Sequence, residues 1–239
     1  MEKIFEREYY LRTSDFDKNR RILPSSVLDL FQDAAGVHAK ALNCGYDALI
    51  SQSLVWVLTR VRYTRIADAP MFSKIKVKTW PLPPTRFGYT REYKIMDENG
   101  NMLFKGSSEW VLMDVNERRL AAGKNVYNLT EFCEERIFEE RALKLKSFET
   151  GSAPVTVYPR FTDIDMNGHV NNTKYLNFVL DSAKLKEDEK ISALQIDYRK
   201  EVLADTALHI FSLKENGSLF SRGEDKDGNV MFLAKLDIM

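Results

Sequence analysis

The second half of the chain carries polar side chains at alternate positions that are suited to acid–base chemistry. They are the carboxylates, the amide and the imidazole of Asp163, Asp165, Asn167 and His169. In an extended segment every second residue faces the same side, so these groups would meet at a common point. Competent helix N-caps follow from Asn171 onward, and the N–H groups of a helix N-terminus can stabilise a developing oxyanion. The pattern predicts proton transfer beside an oxyanion site.

His169 is the member of this set that best fits a role in proton exchange. The chain has three histidines, and His38 and His209 lie in apolar periodic runs that are typical of packed side chains. His169 instead lies in a polar turn between Gly168 and Asn171, downstream of two carboxylates. An imidazole in this setting exchanges a proton near neutral pH and can be oriented by a neighbouring carboxylate or amide. The alternative is a structural role in the turn or the helix cap.

A calcium site is the first competing interpretation of the same residues. The stretch from Asp163 to Gly168 fits the first six positions of an EF-hand loop, but the position of the bidentate glutamate is Lys174. The preceding residues also look extended, whereas an EF-hand needs a helix there. The chain has no nucleophile elbow, phosphate-binding loop, dinucleotide fingerprint or Cys-x-x-Cys pair. We therefore predict neither a metal ion nor a cofactor.

An internal repeat separates residues shared by both halves from residues found in one half. The segment that begins at Arg12 aligns without a gap on the segment that begins at Arg160. Later segments of the two halves match in the same order, which favours a duplication. Shared residues suit the fold, so Asp163 is interpreted as a structural turn carboxylate. His169 has no such counterpart, because Arg21 stands at the matching position of the first half. The matched pairs are Asp15 with Asp163, Asp17 with Asp165, Asn19 with Asn167, and Arg21 with His169.

Glu201 is the candidate for a second acid. It follows the strand-like run that contains Leu194, Ile196 and Tyr198, and the first half has no glutamate at the matching place. Its parity puts it on the opposite face from those three residues unless the strand bends or bulges near Arg199. A solvated surface charge is the other interpretation.

The elements that would position these groups recur in both halves. Each half contains a strand, a long helix and about four more strands, with Pro24 suited to the first turn of the first helix. Val27, Leu28, Phe31, Ala34, Ala35 and His38 form an apolar stripe along that helix. Asn99-Gly100 predicts a hairpin. We predict an α+β fold with two antiparallel sheets, each wrapped around its helix. The predicted segments are residues 1–115, a partly helical connector at 116–152, and residues 153–239.

Composition excludes several classes of function. The 35 basic and 35 acidic side chains cancel, which argues against dedicated binding of nucleic acid or of an anionic membrane. No apolar run is long enough for membrane insertion, and the N-terminus resembles neither a signal nor a transit peptide. Cys44 and Cys133 are unclustered, as expected of reduced thiols. These features predict a soluble cytoplasmic protein.

The chain resembles the acyl-acyl carrier protein (ACP) thioesterases, which have two hotdog domains in one chain. Gly-His-Val-Asn-Asn at residues 168–172 occurs across hotdog enzymes, and the run from Tyr198 to Glu201 together with SSEWVLMDVNERRLA at residues 107–121 is more specific. The similarity covers nearly the full length. It implies hydrolysis of fatty acyl-ACP, with the catalytic residues Asp165, Asn167, His169 and Glu201.

The resemblance also implies a mechanism and a partner. Plant members carry a cysteine directly after the glutamate, but here that residue is Val202, so we expect activated water instead of a thiol nucleophile. An apolar tunnel for the acyl chain is expected in the first half, lined by its helix and by residues 54–63. Because ACP is acidic, basic residues near the site are expected to bind it, including Lys174, Arg199 and Lys200.

Several alternatives stay open at this point. The same fold and chemistry would serve an acyl-CoA thioesterase, and the tunnel alone would serve a non-catalytic lipid-binding protein. The choice of general base between Asp165 and Glu201 is undecided, as are the preferred acyl chain and the oligomeric state, including a homodimer.

Overall fold

The computed structural model describes residues 2–121 and 125–239, which form two compact units. The first unit ends at Arg141 and the second begins at Ala142. Each unit is an antiparallel sheet with few helices, as expected for the α+β class. Within the described ranges, no helix is both long enough and apolar enough to cross a membrane.

The first unit contains a five-stranded path with the order β1-β3-β4-β5-β2, and a short strand, β6, pairs with β5. The strand, the long helix and the further strands predicted for this half are all present. The elements are β1 (Phe5–Tyr10), α1 (Pro24–Ala41), α2 (Tyr46–Ile50), β2 (Leu54–Arg65), β3 (Lys74–Pro81), β4 (Tyr89–Asp97), β5 (Met102–Asp114) and β6 (Arg119–Leu120).

The long helix α1 packs its apolar stripe against this sheet. It begins at Pro24, and the whole predicted stripe is buried. The Phe31 ring stacks on Tyr93 of β4 with centroids 4.2 Å apart. Phe31 also lies over Gly106 of β5, where a Cβ atom would be only 2.2 Å from the ring. A side chain at Gly106 would therefore push the helix away from the sheet.

The elements of the second unit are β7 (Val155–Val157), α3 (Lys174–Ala183), β8 (Ile191–Tyr198), β9 (Leu208–Glu215), β10 (Ser218–Glu224) and β11 (Val230–Ile238). The strands form a sheet with the order β8-β11-β10-β9-β7, and the α-helix α3 contacts β9. The helix buries Tyr175, Leu176, Phe178 and Val179, and it is followed by the C-cap Lys184, which has a left-handed conformation with φ 48°.

The predicted hairpin at Asn99-Gly100 is confirmed and has a counterpart in the second unit. Asp97 Oδ1 accepts the N–H groups of Asn99 and Asn101 at 2.9 and 2.8 Å, and Gly100 has φ 85°. Asp225 Oδ1 holds Asp227 and Asn229 in the same way, and Gly228 has φ 77°. Glycine suits this position because it adopts positive φ without steric cost. The shared turn supports the predicted duplication.

The helix predicted within the connector 116–152 is wrong for its described part. Residues 122–124 lie outside the described residues, and residues 125–152 contain no helix. Side chains of the sheets satisfy backbone groups of this segment instead. Trp80 Nε1 donates to Glu135 O at 2.9 Å, and Gln195 Nε2 donates to Leu143 O at 2.7 Å. These contacts satisfy backbone carbonyls of the segment without the hydrogen bonds of a helix.

Candidate active site

The polar segment before α3 is folded into two successive turns rather than being extended. A short 3-10 helix spans Phe161–Asp163, and Asp163 Oδ2 accepts the backbone N–H of Arg160 at 2.7 Å. In the first unit, Asp15 Oδ2 accepts the N–H of Arg12 at 2.6 Å. The expected extended geometry is therefore wrong, because these carboxylates turn back onto their own backbone. The structural role predicted for Asp163 is confirmed.

The second turn is held by Asp165. Its Oδ1 accepts the backbone N–H groups of Asn167 at 2.8 Å and His169 at 3.4 Å, while its own N–H donates to His169 O at 2.8 Å. The Asn167 amide lies 3.5 Å from Asp165 Oδ2 and is otherwise exposed. Gly168 completes the turn with φ 80°. Asp165 thus fixes the backbone on which the imidazole of His169 stands.

Glu201 reaches this turn through a β-bulge at the end of β8. Tyr198 pairs with Phe232, and the next two N–H groups, those of Arg199 and Lys200, both donate to Met231 O, at 2.9 and 3.1 Å. The two residues that follow β8 therefore face one residue of β11, which reverses the side-chain parity beyond them. The sequence required a bend or a bulge near Arg199 for Glu201 to share the face of Leu194, Ile196 and Tyr198, and the two N–H groups that share Met231 O form such an irregularity.

The geometry brings His169 and Glu201 into contact. His169 Nε2 lies 3.3 Å from Glu201 Oε2, and the two side chains are 31% and 60% exposed. Their backbones are also tied together, because Val170 N donates to Val202 O at 2.8 Å and His169 pairs with Leu203. The result is an acid–base pair on a braced backbone that water can reach.

Two tyrosines that the sequence did not indicate as part of the site also support this pair. Tyr175 Oη accepts the N–H of Val202 at 3.3 Å, and Tyr198 Oη donates to Asn172 O at 2.7 Å. Their rings meet edge to face at 5.3 Å. Desolvation raises the pKa of both phenols, so they stay protonated at neutral pH. No spacing in the sequence indicates the partners of these hydroxyls.

The start of α3 is organised by Asn171. Its Oδ1 accepts the N–H and the hydroxyl of Thr173 at 3.0 and 3.2 Å, and its carbonyl accepts the N–H of Lys174 at 2.9 Å. The helix begins at Lys174, after these contacts. The N–H groups of Thr173 and Lys174 are therefore engaged within the turn.

The basic residues expected near the site belong to the same unit but differ in their hydrogen-bond partners and exposure. Arg199 lies 3.6 Å from Asp197 and donates to Leu145 O at 3.1 Å, so it has structural partners. Lys200 donates to Asn229 Oδ1 at 2.9 Å and is exposed. Within residues 2–121 and 125–239, no group of three or more metal-ligating side chains is assembled.

The first unit contains a cavity of about 150 Å³ where an apolar tunnel was expected. One wall is formed by Ala35, Gly36 and Ala39 of α1, and another by Trp56 of β2 and Trp110 of β5. The lining also includes the side chain of an arginine, which the expectation of an apolar site did not foresee.

Two family models match the chain. The model of the acyl-ACP thioesterase N-terminal domain matches residues 2–127, and the model of the C-terminal domain matches residues 149–230. Together they cover both units, including the turn before α3 and Glu201.

Individual relatives agree with these matches. The chloroplastic palmitoyl-acyl carrier protein thioesterase of Arabidopsis thaliana is 27% identical over 221 residues, which cover 86% of this chain and 54% of that protein. The chain therefore spans little more than half the length of this curated relative. The crystal structure of an acyl-ACP thioesterase from Bacteroides thetaiotaomicron is 22% identical, with a TM-score of 0.86 over 99% of this chain and 98% of that one. The 12:0-ACP thioesterase from Umbellularia californica also gives a TM-score of 0.86 at 22% identity, over 100% and 98%. These two likenesses concern the fold alone.

Proposed function

The chain belongs to the acyl-ACP thioesterase family, and we propose that it hydrolyses the thioester of fatty acyl-ACP to release a fatty acid and ACP. The observation that carries this proposal is the 3.3 Å contact between His169 Nε2 and Glu201 Oε2 at a position reached by water. Hydrolysis needs a base for the attacking water and an acid for the leaving thiolate, and a coupled imidazole and carboxylate can supply both.

Glu201 is the general base in this proposal. Asp165 already uses its carboxylate to hold the backbone of Asn167 and His169, as Asp17 does in the first unit, where no histidine follows. Glu201 is 60% exposed, and its Oε2 contacts the imidazole of His169. It would take one proton from water as the water oxygen bonds to the thioester carbonyl carbon.

His169 then returns the proton. The protonated Glu201 passes its proton to the imidazole across the 3.3 Å contact, and the resulting imidazolium protonates the leaving thiolate as the tetrahedral intermediate collapses and the C–S bond breaks. The oxyanion would be received by backbone N–H groups at the start of α3. Asn172 is the candidate donor, because the N–H groups of Thr173 and Lys174 donate to Asn171.

A cysteine nucleophile is not part of this proposal. Val202 follows Glu201 and is buried. Cys44 belongs to the first unit, where burial raises the pKa of its thiol to about 11. Such a thiol is almost fully protonated at neutral pH and is a weak nucleophile. Activated water is therefore the nucleophile that these residues favour.

We further propose that each unit is a hotdog domain and that the two have different roles. The second unit carries the hydrolytic residues, whereas the first has Arg21 where His169 stands and would bind the acyl chain in its cavity. ACP would approach the half-buried Lys174 and the exposed Lys200, in the cytoplasm, where Cys44 and Cys133 remain free thiols.

The direct test is hydrolysis of a chain-length series of acyl-ACPs by the purified protein. We expect release of free fatty acid and of holo-ACP in equal amounts, with His169→Ala reducing turnover by a factor of about 10² to 10⁴. The same acyl groups on coenzyme A provide the comparison of carriers. Turnover by His169→Ala at the wild-type rate would contradict the proposed site, and equal or greater turnover of acyl-CoA would contradict ACP as the substrate carrier.

A further inference from the structure

Arg91 is a buried cation on the lining of the first unit's cavity. Arg91 is only 4% exposed, and it lines the cavity of about 150 Å³ between α1 and the sheet. Buried charges in proteins are normally paired with an opposite charge, because desolvation of an isolated ion is costly. Arg91 in the described part of the chain has no carboxylate partner, which is unusual for such a position.

The partners that Arg91 does have are neutral. Its Nη1 lies 3.0 Å from His38 Nδ1 and 3.3 Å from Thr79 Oγ1. A guanidinium can only donate, so His38 Nδ1 is the acceptor and the ring proton lies on Nε2, 3.1 Å from Glu2 O. Burial and the charge of Arg91 lower the pKa of His38 to about 4, which keeps this imidazole neutral. Both contacts use one nitrogen of a group that has five N–H donors.

The cavity walls contribute mainly rings and methyl groups. Trp56 Nε1 donates to Cys44 O at 2.9 Å, and Trp110 Nε1 donates to Ser108 Oγ at 2.7 Å. Both indoles are thereby satisfied outside the cavity. The polar groups that remain on the lining are Arg91, the neutral Tyr127 hydroxyl and the exposed amide of Gln32, so no carboxylate of the described residues lines the cavity.

Gly36 belongs to the lining of this cavity. It lies in the interior of α1, where glycine is less favourable than alanine, and a Cβ atom there would meet nothing within 4 Å. Packing of the helix therefore does not require glycine at this position, and a larger side chain would add bulk to the cavity lining.

We propose that this cavity binds a short carbon chain that ends in a carboxylate, with Arg91 bonding its oxygens. The volume equals that of an engineered cavity that takes benzene, so about six carbon atoms fit. Arginine is suited to carboxylates because it donates two parallel hydrogen bonds. The inference rests on the proposed function, because that reaction offers two sources of such a ligand. One is the released fatty acid, and the other is an acyl group whose far end carries a second carboxylate.

Direct binding tests the site without any hydrolysis. Two of the three tryptophans line the cavity, so titration with hexanoate should change the tryptophan fluorescence and saturate, with calorimetry giving the affinity. We expect 1-hexanol to bind at least about tenfold more weakly, since it lacks the charged acceptor. Equal affinity for hexanoate and 1-hexanol would reduce the site to an apolar cavity and overturn the proposal.

Variants of two lining residues complete the test. Arg91→Met replaces the cation with an apolar side chain of similar length and should weaken hexanoate binding about tenfold or more, whereas Arg91→Lys should retain part of it. Gly36→Leu should block binding, and Lys40→Leu, on the same helix but outside the cavity, should bind as wild type does. Circular dichroism and Tm report whether each variant is folded. Unchanged affinity in folded Arg91→Met would exclude the assigned role.

Hydrolysis assays separate the two ligand sources and keep this inference distinct from the proposed function. Faster turnover of an ACP thioester whose acyl group ends in a carboxylate than of its methyl-ended counterpart identifies the acyl end, and competitive inhibition by hexanoate identifies a free acid. Acyl-ACP hydrolysis without any saturable hexanoate binding would overturn only the carboxylate site. Hexanoate binding without any thioester hydrolysis would overturn only the proposed function.

Discussion

Asp17 and Asp165 hold the same turn in the two halves of the chain. Asp17 Oδ1 accepts the backbone N–H groups of Asn19 at 2.8 Å and Arg21 at 2.9 Å, and Asp165 Oδ1 accepts those of Asn167 and His169. The residue before the second N–H donor has positive φ in both turns, 59° at Arg20 and 80° at Gly168. A carboxylate retained in a turn without histidine is serving the backbone. The turn therefore explains Asp165 without any role as a base.

The first prediction separates Asp165 from Glu201. Asp165→Asn keeps an oxygen acceptor for the turn, so we expect kcat within about tenfold of wild type, whereas Glu201→Gln removes the base and should lower kcat about 10²- to 10⁴-fold. Single-turnover hydrolysis of acyl-ACP measures both. Because Glu201 is an exposed surface residue, its change should alter stability by no more than about 0.5 kcal/mol.

Asp17→Asn is the matched control for this comparison, since it changes the same bond in the turn that lacks a histidine. It should leave kcat unaltered while affecting Tm about as much as Asp165→Asn does. The reverse result, in which Asp165→Asn is inactive and Glu201→Gln is active, would transfer the role of base to Asp165.

The second prediction concerns the contact of Gly106 with Phe31. In Gly106→Ala the new Cβ atom would lie 2.2 Å from the Phe31 ring and 3.1 Å from Arg62 O, so we expect a loss of about 1–3 kcal/mol in the free energy of unfolding. Combining it with Phe31→Leu should cost less than the sum of the two single changes, because the leucine removes the ring that clashes. Urea denaturation measures the four proteins.

Gly151→Ala provides the control, because a Cβ atom there would meet nothing within 4 Å and the residue is exposed. It should change stability by no more than about 0.5 kcal/mol. Strict additivity of Gly106→Ala and Phe31→Leu would mean that the helix does not rest on this glycine.

The local elements of the fold could be predicted because their signals are carried by adjacent residues. Pro24 marks the start of α1, the three- and four-residue spacing of its apolar side chains gives the buried face, and Asn99-Gly100 gives the hairpin. The bulge at Arg199 could be inferred only from the side-chain parity of Glu201, because it arises from hydrogen bonds to Met231 on another strand. Local patterns predict the extent of a strand, whereas the position of a bulge depends on the pairing with its neighbour.

The failures have the same physical origin in contacts between residues distant in sequence. The charged connector has a partly helical pattern, yet Trp80 and Gln195 bond to backbone carbonyls of its irregular chain. The hydroxyls of Tyr175 and Tyr198 bond to backbone groups of other elements, which no spacing reveals. The partners of Arg91 come from α1 and β3, so no pattern in the sequence indicates that a carboxylate is absent from its surroundings.

The third prediction is a pH dependence of stability that arises from Glu92. This carboxyl is 3% exposed, accepts weak hydrogen bonds from Ser107 Oγ and Ile137 N at 3.4 Å each, and burial raises its pKa from 4.5 to about 7. Between these pH values the folded protein keeps a proton that the unfolded chain has lost. Stability from this group is thus complete below pH 4.5 and is lost as pH rises through 7.

Glu92→Gln removes this titration while keeping an acceptor for Ile137. The variant and the wild type should have similar stability near pH 4.5, and the variant should be more stable by about 1–3 kcal/mol above pH 7. His38, whose lowered pKa acts in the opposite direction, is common to both proteins, so the difference isolates Glu92. Parallel unfolding curves of the two proteins from pH 4.5 to 8 would contradict a buried, protonated Glu92.

The last prediction concerns the carrier. In the described part of the chain, the exposed Lys200 donates to the amide oxygen of Asn229, whereas Arg199 contacts Asp197 and donates to Leu145 O. Of these two cations, Lys200 is therefore the more available to an acidic partner. Lys200→Glu should lower kcat/KM for acyl-ACP about tenfold by reversing a local charge, mainly through association. Because salt screens exposed charges, the deficit should shrink as ionic strength rises from about 0.01 to 0.5 M.

An uncharged acyl-N-acetylcysteamine thioester should be hydrolysed equally by both proteins, since it carries no acidic surface. If Lys200→Glu instead slows that small substrate as much as acyl-ACP, the lysine acts on the β8 bulge and on Glu201 rather than on the carrier.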